Sequence, residues 1–395
     1  MLLAQLSSRC RKIQPSPTLA MTARAREMKA RGIDVLSFAV GEPDFNTPEP
    51  IIEAAKKALD QGMTKYAPSR GLPLLIEAIQ RKTERENGFS CQANQVVVSC
   101  GAKHCLYNAF QVLLNPGDEA ILFAPFWMTY ADQVALADGI PVIVPTSAEN
   151  GFQPDAAAIE SAITPRTKVI VCNSPSNPTG GAWDRATVEA VAAIAERHNL
   201  TIVSDEIYEH LTYDGHQHTG FAQLGPETAS RTVTILGVSK TYSMTGWRIG
   251  FAISPPEIAT AMANIQDQVT SNATTFAQAG AAAALDSDPA LVQKMAATFA
   301  ERRAFGMQQL RKIDGLGVPS PKGAFYFFLD VSRFLGGEIA DDCALAEHLL
   351  DKAHIATVPG SVFHAPGHIR FSYAAGLDTI AEGARRLGDA LKGLQ

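Results

Sequence analysis

The sequence predicts an α/β protein, with a doubly wound, mostly parallel sheet in a large domain and a smaller α+β domain beside it. Three observations point there. From about residue 90 to 253, short β-rich apolar runs alternate with helical patterns and are separated by Gly, Pro and Asn, as in βαβ units. Beyond residue 288 this alternation gives way to a long Ala- and Arg-rich helical stretch. The chain has 395 residues, more than one packed core holds at ~150 residues per domain.

The elements follow in order. A helix is predicted over 48–61, with Thr47 as N-cap, Pro48 at the first position and Gly62 as stop; a second covers 74–87 and stops at Gly88. Strands are predicted at 96–99, 120–123, 141–144, 168–172, 201–204, 232–236 and 249–253. Between the fourth and fifth, 184–198 is helical, with Val188, Val191 and Ile194 at three-residue steps. After the long helix come strands near 325–329, 355–358 and 369–372, then a closing helix. The break at Asp286-Ser287-Asp288-Pro289 predicts a large domain, 48–287, and a small domain formed by both chain ends, 1–47 and 288–395.

Composition removes several classes of function. Hydrophobic residues at 46% and charged residues at 19% exclude a disordered or collagen-like chain. A net charge of -6, with no stretch mixing Lys and Arg with aromatics, excludes nucleic acid as the expected partner. No apolar stretch approaches the ~20 uncharged residues that span a bilayer, and Arg9, Arg11 and Lys12 follow the short Met1-Leu2-Leu3-Ala4 run instead of preceding it. The six cysteines are scattered without Cys-x-x-Cys spacing and are expected reduced, which places the protein in the cytoplasm.

In an open α/β sheet the ligand lies outside the carboxyl ends of the strands, so the residues there come first. Strand 96–99 runs into Cys100-Gly101-Ala102-Lys103 and a helix, whose N-terminus offers backbone N–H groups to an anion. Strand 168–172 ends in Asn173-Ser174-Pro175-Ser176-Asn177-Pro178-Thr179-Gly180, and strand 201–204 in Asp205-Glu206-Ile207-Tyr208. Strand 232–236 leads into a box running from Gly237-Val238-Ser239-Lys240 to Gly246-Trp247-Arg248. Singly these are a cap, a turn or a surface charge. Together they set an amine, a carboxylate, a phenol, an amide and an anion site at neighbouring strand ends, as a pyridoxal 5′-phosphate site requires.

With those residues in view, the chain resembles the class I aminotransferases of fold type I, pyridoxal-phosphate-dependent transferases. Within them it is most similar to the bacterial aspartate/prephenate aminotransferase subgroup. The likeness covers nearly the whole chain, adding Gly41-Glu42-Pro43-Asp44-Phe45, Lys65-Tyr66-Ala67-Pro68 and Arg370-Phe371-Ser372-Tyr373-Ala374 to the motifs above. It implies that Lys240 condenses with the cofactor aldehyde, that Asp205 accepts the pyridinium N–H, and that Tyr208 and Asn177 contact the ring's phenolic oxygen. For the phosphate it points to Arg248, the backbone of Gly101 and Ala102, Ser239, Lys103, and Tyr66 from the other subunit of a homodimer with shared active sites. Trp127 takes the stacking position over the ring, with Phe126 beside it as the alternative packing residue. Gly237 stands where some relatives have serine, which weakens the case for Ser239.

For substrate, the resemblance implies that Arg370 clamps the α-carboxylate with help from the Gly41 N–H, while Trp127 and Asn177 line the pocket. Lys103 and Thr18 are the pointers to a distal carboxylate, although Lys103 could instead serve the phosphate; Gln14 stands where the subgroup often has lysine. The expected reaction moves an amino group between an amino acid, aspartate or glutamate with prephenate or arogenate as further candidates, and a 2-oxo acid such as 2-oxoglutarate. The alternatives are another enzyme of the same cofactor class, such as a β-lyase, or an aminotransferase for aromatic or neutral amino acids. A nucleotide-binding fold is disfavoured because no Gly-x-Gly-x-x-Gly follows the first strand, and Ser239-Lys240-Thr241 lacks the glycine a P-loop needs before its lysine. No metal site is expected, since His216 and His218 lack further ligands at usable spacing.

Overall fold

The structure, a computed structural model, describes residues 7, 10, 11, 13 and 17–394, and only the backbone of 17–19. A helix, Pro17–Ala30, precedes the short strand β1 (Leu36–Ser37). The central sheet then comprises β2 (Val96–Ser99), β3 (Glu119–Ala124), β4 (Ile140–Pro145), β5 (Thr167–Asn173), β6 (Thr201–Asp205), β7 (Thr232–Gly237) and β8 (Gly250–Ile253), in the order β2-β8-β7-β6-β5-β3-β4.

Successive strand residues pack into opposite faces, which is why these runs are continuously apolar. Val97, Leu122, Val171, Val203 and Ile235 join one core. Val98 and Leu236 belong to a second and Ile121, Ile170 and Ile202 to a third. β4, at the sheet edge and half-exposed, tolerates Pro141 and Pro145 because an edge strand need not donate every N–H.

Residue patterning predicted parallel units up to 253, and β8 departs from that: it is antiparallel to both β2 and β7. The segment 238–249 carries the Lys240 turn and a 3₁₀ turn, Thr245–Trp247, instead of a crossover helix, so the chain returns alongside the strand it left.

The C-terminal part holds the helix Pro289–Leu310, then β9 (Tyr326–Asp330), β10 (Ile355–Ala356), β11 (Val358–Pro359), β12 (His368–Ser372) and a closing helix, Leu377–Lys392. The strand expected at 355–358 is divided: β10 pairs parallel with β1, whereas β11 joins the antiparallel sheet β11-β12-β9. Pairing of β1 with β10 brings the two ends of the chain together.

Two helix expectations also change. Thr47 is not a cap; Pro48 holds that position before Glu49–Asp60, and the Thr47 hydroxyl donates to Ser243 O (2.7 Å) while accepting from Trp247 Nε1 (2.9 Å). The helix expected over 74–87 is α-helical as Pro73–Lys82 and widens to a π turn over Thr83–Asn87. That turn aligns Lys82 with Asn87 five residues on, so Lys82 Nζ donates to Asn87 Oδ1 (2.6 Å) and both side chains bond Glu209. No helix among the described residues is long and apolar enough to cross a membrane.

Candidate active site

The site opens where β5, β6 and β7 end, next to the point at which strand order reverses between β3 and β5. Register places its first members. In the β5–β6 ladder Asn173 is opposite Asp205 and donates Nδ2 to the Asp205 carbonyl (2.9 Å), while its Oδ1 receives the Asn177 N–H (3.0 Å). The β5 turn and the β6 end are thereby locked to each other.

Asp205 is buried, with Oδ2 accepting from the Tyr130 hydroxyl (2.7 Å) and Oδ1 facing the Ile207 N–H (3.3 Å). Burial lifts its carboxyl to about 6, against the lowering effect of those two donors. Tyr208, also buried, places its hydroxyl 2.9 Å from that of Tyr326. Lys240, in the turn after β7, donates Nζ to Gly41 O (2.5 Å) and lies 6.0 Å from the Tyr208 ring centre. Burial pushes its amine down to about 8; Glu42 opposes the shift, and Arg370 and Arg248 add to it. An amine in that range is partly unprotonated near neutrality, and the unprotonated form is nucleophilic.

At the N-terminus of the helix Ala102–Leu113, Gly101 has φ +88°, and a Cβ there would run into the Arg248 guanidinium. Arg248 donates to Thr245 O (2.8 Å) and Cys100 O (3.3 Å) and stays solvent-exposed. Backbone N–H groups, the positive helix end and a guanidinium converge here, and Ser239 is buried in the Lys240 turn. Exposed Lys103, one turn position on, holds its ammonium 4.7 Å above the Trp127 ring. Partial desolvation and Arg248 lower its pKa, while Asp132 works the other way. Phe126 is the buried packing residue and stacks on His364; Trp127 is half-buried.

Arg370 reaches in from β12, fully buried. Its Nη1 donates to Asn177 Oδ1 and its Nη2 to Ala39 O, both 2.7 Å, while Nε has no partner among the described residues. Tyr66 is 93% exposed. Thr18 falls in the first helix, but its side chain is outside the described residues. His218 bonds Glu206 Oε2 (2.9 Å), and no group of three metal-ligating side chains gathers among the described residues.

Sequence reasoning passed over Tyr130, Tyr326 and the Arg302–Asp44 pair. Arg302 makes two bonds, 2.6 and 2.9 Å, to Asp44 in the Gly41–Phe45 segment. A tyrosine inside an aromatic run such as 325–328 looks like core unless one asks where its buried hydroxyl bonds.

Fold and site together define a fold-type-I transferase. The chain belongs to the aminotransferase class I and II family, which it matches over residues 33–387, and it is an aminotransferase. It is 45% identical over 390 residues to the aspartate aminotransferase of Bacillus sp. strain YM-2, covering 98% of this chain and 99% of that one. Identity is 43% over 399 residues with the aspartate/prephenate aminotransferase of Cereibacter sphaeroides, covering 99% and 100%. Among solved structures, the aspartate aminotransferase of Thermus thermophilus with maleate superposes with a TM-score of 0.94 at 41% identity, covering 98% of this chain and all of that one.

Proposed function

We propose that the protein is a pyridoxal 5′-phosphate-dependent aminotransferase for acidic amino acids, aspartate or glutamate, with 2-oxoglutarate as acceptor and prephenate as a further candidate. The observation that supports this best is the pairing of a buried amine of lowered pKa, Lys240, with a buried carboxylate, Asp205, beside an anion cradle at Gly101, Ala102 and Arg248. The residues fit the cofactor, which supplies an electron sink for charge developing at the substrate Cα. Arg248 and the helix N-terminus would hold the phosphate, Asp205 the ring nitrogen, and Tyr208 and Asn177 the phenolic oxygen. Trp127 would cover the ring face.

Lys240 is the one buried base placed to move a proton at Cα, and it would do so once freed from its cofactor bond. Arg370 would grip the α-carboxylate bidentately, its orphaned Nε and the two Nη groups giving a planar fork already oriented by Asn177 and Ala39. Lys103 at the rim, with Thr18, would meet a distal carboxylate.

The working form is a homodimer with shared sites. Exposed Tyr66 supports this, being a large aromatic ring that the described residues leave uncovered. Each subunit would have a large domain, 48–287, and a small domain, 1–47 with 288–395, an arrangement favoured by β1 pairing with β10. All six cysteines are free, in keeping with the cytoplasm.

A coupled assay for the 2-oxo acid co-product tests the reaction: stoichiometric product supports transfer, and ammonia release with pyruvate instead would indicate a β-lyase. Lys103→Ala tests the substrate class. A charged hydrogen bond contributes ~1.5–3 kcal/mol, so kcat/KM for aspartate or glutamate should fall about tenfold to a hundredfold at saturating cofactor, with a neutral amino acid changed far less. Equal losses would assign Lys103 to the phosphate.

A further inference from the structure

Tyr326 occupies the middle of the site, and none of the roles above uses it. It lies on β9, fully buried, in the run Phe325-Tyr326-Phe327-Phe328. A phenylalanine would fill the same volume without the cost of burying a hydroxyl, so the hydroxyl calls for a reason. Three contacts supply one. Its oxygen lies 2.9 Å from the Tyr208 hydroxyl oxygen, the one bond recorded for it among the described residues. Its ring lies 4.6 Å beneath the Arg370 guanidinium carbon, with Phe363 at 5.2 Å. A Cβ on Gly41 would stand 2.9 Å from the same hydroxyl, so the hydroxyl fills the space left by the glycine whose carbonyl receives Lys240.

We infer, on the reading proposed above, that Tyr326 is a positioning residue joining the two halves of the site: its ring face shelves the Arg370 carboxylate clamp, and its hydroxyl steadies the Tyr208 phenol that faces the cofactor ring.

Each hydroxyl has one proton. When Tyr208 donates to a ligand oxygen, only its lone pairs remain for Tyr326, which must then be the donor. A hydroxyl that accepts one hydrogen bond donates a stronger one, so the Tyr326 hydroxyl strengthens what Tyr208 gives to the cofactor's phenolic oxygen. The ring acts separately. An aromatic face under a desolvated guanidinium attracts the cation and fixes its plane, and with Asn177 and Ala39 it leaves Arg370 one orientation.

These two functions separate experimentally. Tyr326→Phe removes the hydroxyl and keeps the shelf; Tyr326→Leu removes both. The holoenzyme, reconstituted with pyridoxal 5′-phosphate, is titrated by visible absorbance against pH, and maleate binding is measured by calorimetry. The titration reports the proton at the Lys240 linkage, and the charged groups facing it, Asp205, Glu42, Arg248 and Arg370, are retained in both variants. Weaker donation from Tyr208 leaves that proton more tightly held. Tyr326→Phe should therefore raise the midpoint by about 0.3–1 pH unit, the size expected for one neutral hydrogen bond.

In a Tyr208→Phe background the same change should add nothing, because the effect passes through Tyr208. Maleate affinity should stay within about twofold in Tyr326→Phe and fall about three- to tenfold in Tyr326→Leu. An unmoved midpoint in Tyr326→Phe, or an equal shift without Tyr208, overturns the hydroxyl's role. Unchanged maleate affinity in folded Tyr326→Leu overturns the shelf. Tyr326→Phe preserves core volume and decides the coupling even if the leucine variant fails to fold. If the wild-type chain forms no visible band with the cofactor, the functional reading falls and takes this inference with it; a normal band with an unmoved midpoint sinks the inference alone.

Discussion

The floor and the roof of the site are built in different ways. The floor comprises Asn177, Asp205 and Lys240, each within a few residues of the end of a sheet strand, so sheet register places it: Asn173 lies opposite Asp205 because β5 and β6 pair from Val169 and Thr201 onward. The roof comprises Gly41, Tyr326 and Arg370, drawn from both ends of the chain: β9 and β12 pair with Tyr326 opposite Ser372 and Phe328 opposite Arg370, and side chains acting over long sequence separations join this small sheet to the rest of the site. Arg370 binds Ala39 O and Asn177, Arg302 binds Asp44, and Trp247 binds the Thr47 hydroxyl. The floor groups thus follow the register of one large sheet, whereas the roof needs, besides its own ladder, individual guanidinium contacts to hold it over the floor. On the proposed function, chemistry falls to the first and recognition to the second.

That division predicts a graded set of effects. The largest falls on the floor: Lys240→Ala should lower kcat by ~10⁴-fold or more, beyond the loss of an ordinary general base, while maleate binding to the cofactor-loaded protein changes little. A comparable fall in maleate affinity would show that the floor also recognises ligand and would erase the distinction. On the roof, Arg370→Lys removes the planar fork but keeps the charge. It should cost about ten- to a hundredfold in kcat/KM for acidic and neutral amino acids alike, expressed chiefly in KM. A loss confined to kcat would place Arg370 with the chemistry instead.

A smaller effect concerns stability. Burial holds the Asp205 carboxyl at about 6 in the cofactor-free chain, above its ordinary value of 3.8. The folded chain therefore binds this proton more tightly than the unfolded chain does. Its contribution to stability is complete below pH 4, declines as pH rises from about 4 to 6, and is gone above that. Two pH units correspond to at most about 3 kcal/mol, so cofactor-free Asp205→Asn should be about 1–3 kcal/mol more stable at pH 7 and should lack that decline. Denaturation of both proteins from pH 4 to 8 checks it; parallel curves would contradict the burial argument.

The same contrast governs what could be read from the sequence. Floor residues were legible because each lies in a short motif attached to an apolar run whose period and length mark a strand. Strand ends agreed to within one residue for β2 through β8. The direction of β8 was not legible, because its neighbours are set by the 238–249 turn and not by hydrophobic pattern. Roof contacts were hidden for another reason. Gly41–Phe45 and Arg370 were visible as motifs, yet nothing local tells that Asp44 meets Arg302 or that Tyr326 meets Tyr208. Tyr130 was hidden likewise, since one helical aromatic beside Trp127 gives no hint that its hydroxyl reaches Asp205. Thr47 has the residue type and position of a local cap, yet its hydroxyl bonds Ser243 O in the segment that carries Lys240, a long-range contact no local rule contains.

Every role proposed above depends on the buried amine just after β7 carrying the cofactor. The most direct measurement is borohydride reduction of the purified protein after incubation with pyridoxal 5′-phosphate, followed by proteolysis and mass spectrometry. A yellow protein is expected, with the reduced label on the peptide containing Lys240, one per chain, and no label in Lys240→Ala. Label on Lys103 or another lysine, with Lys240 unmodified, would contradict it.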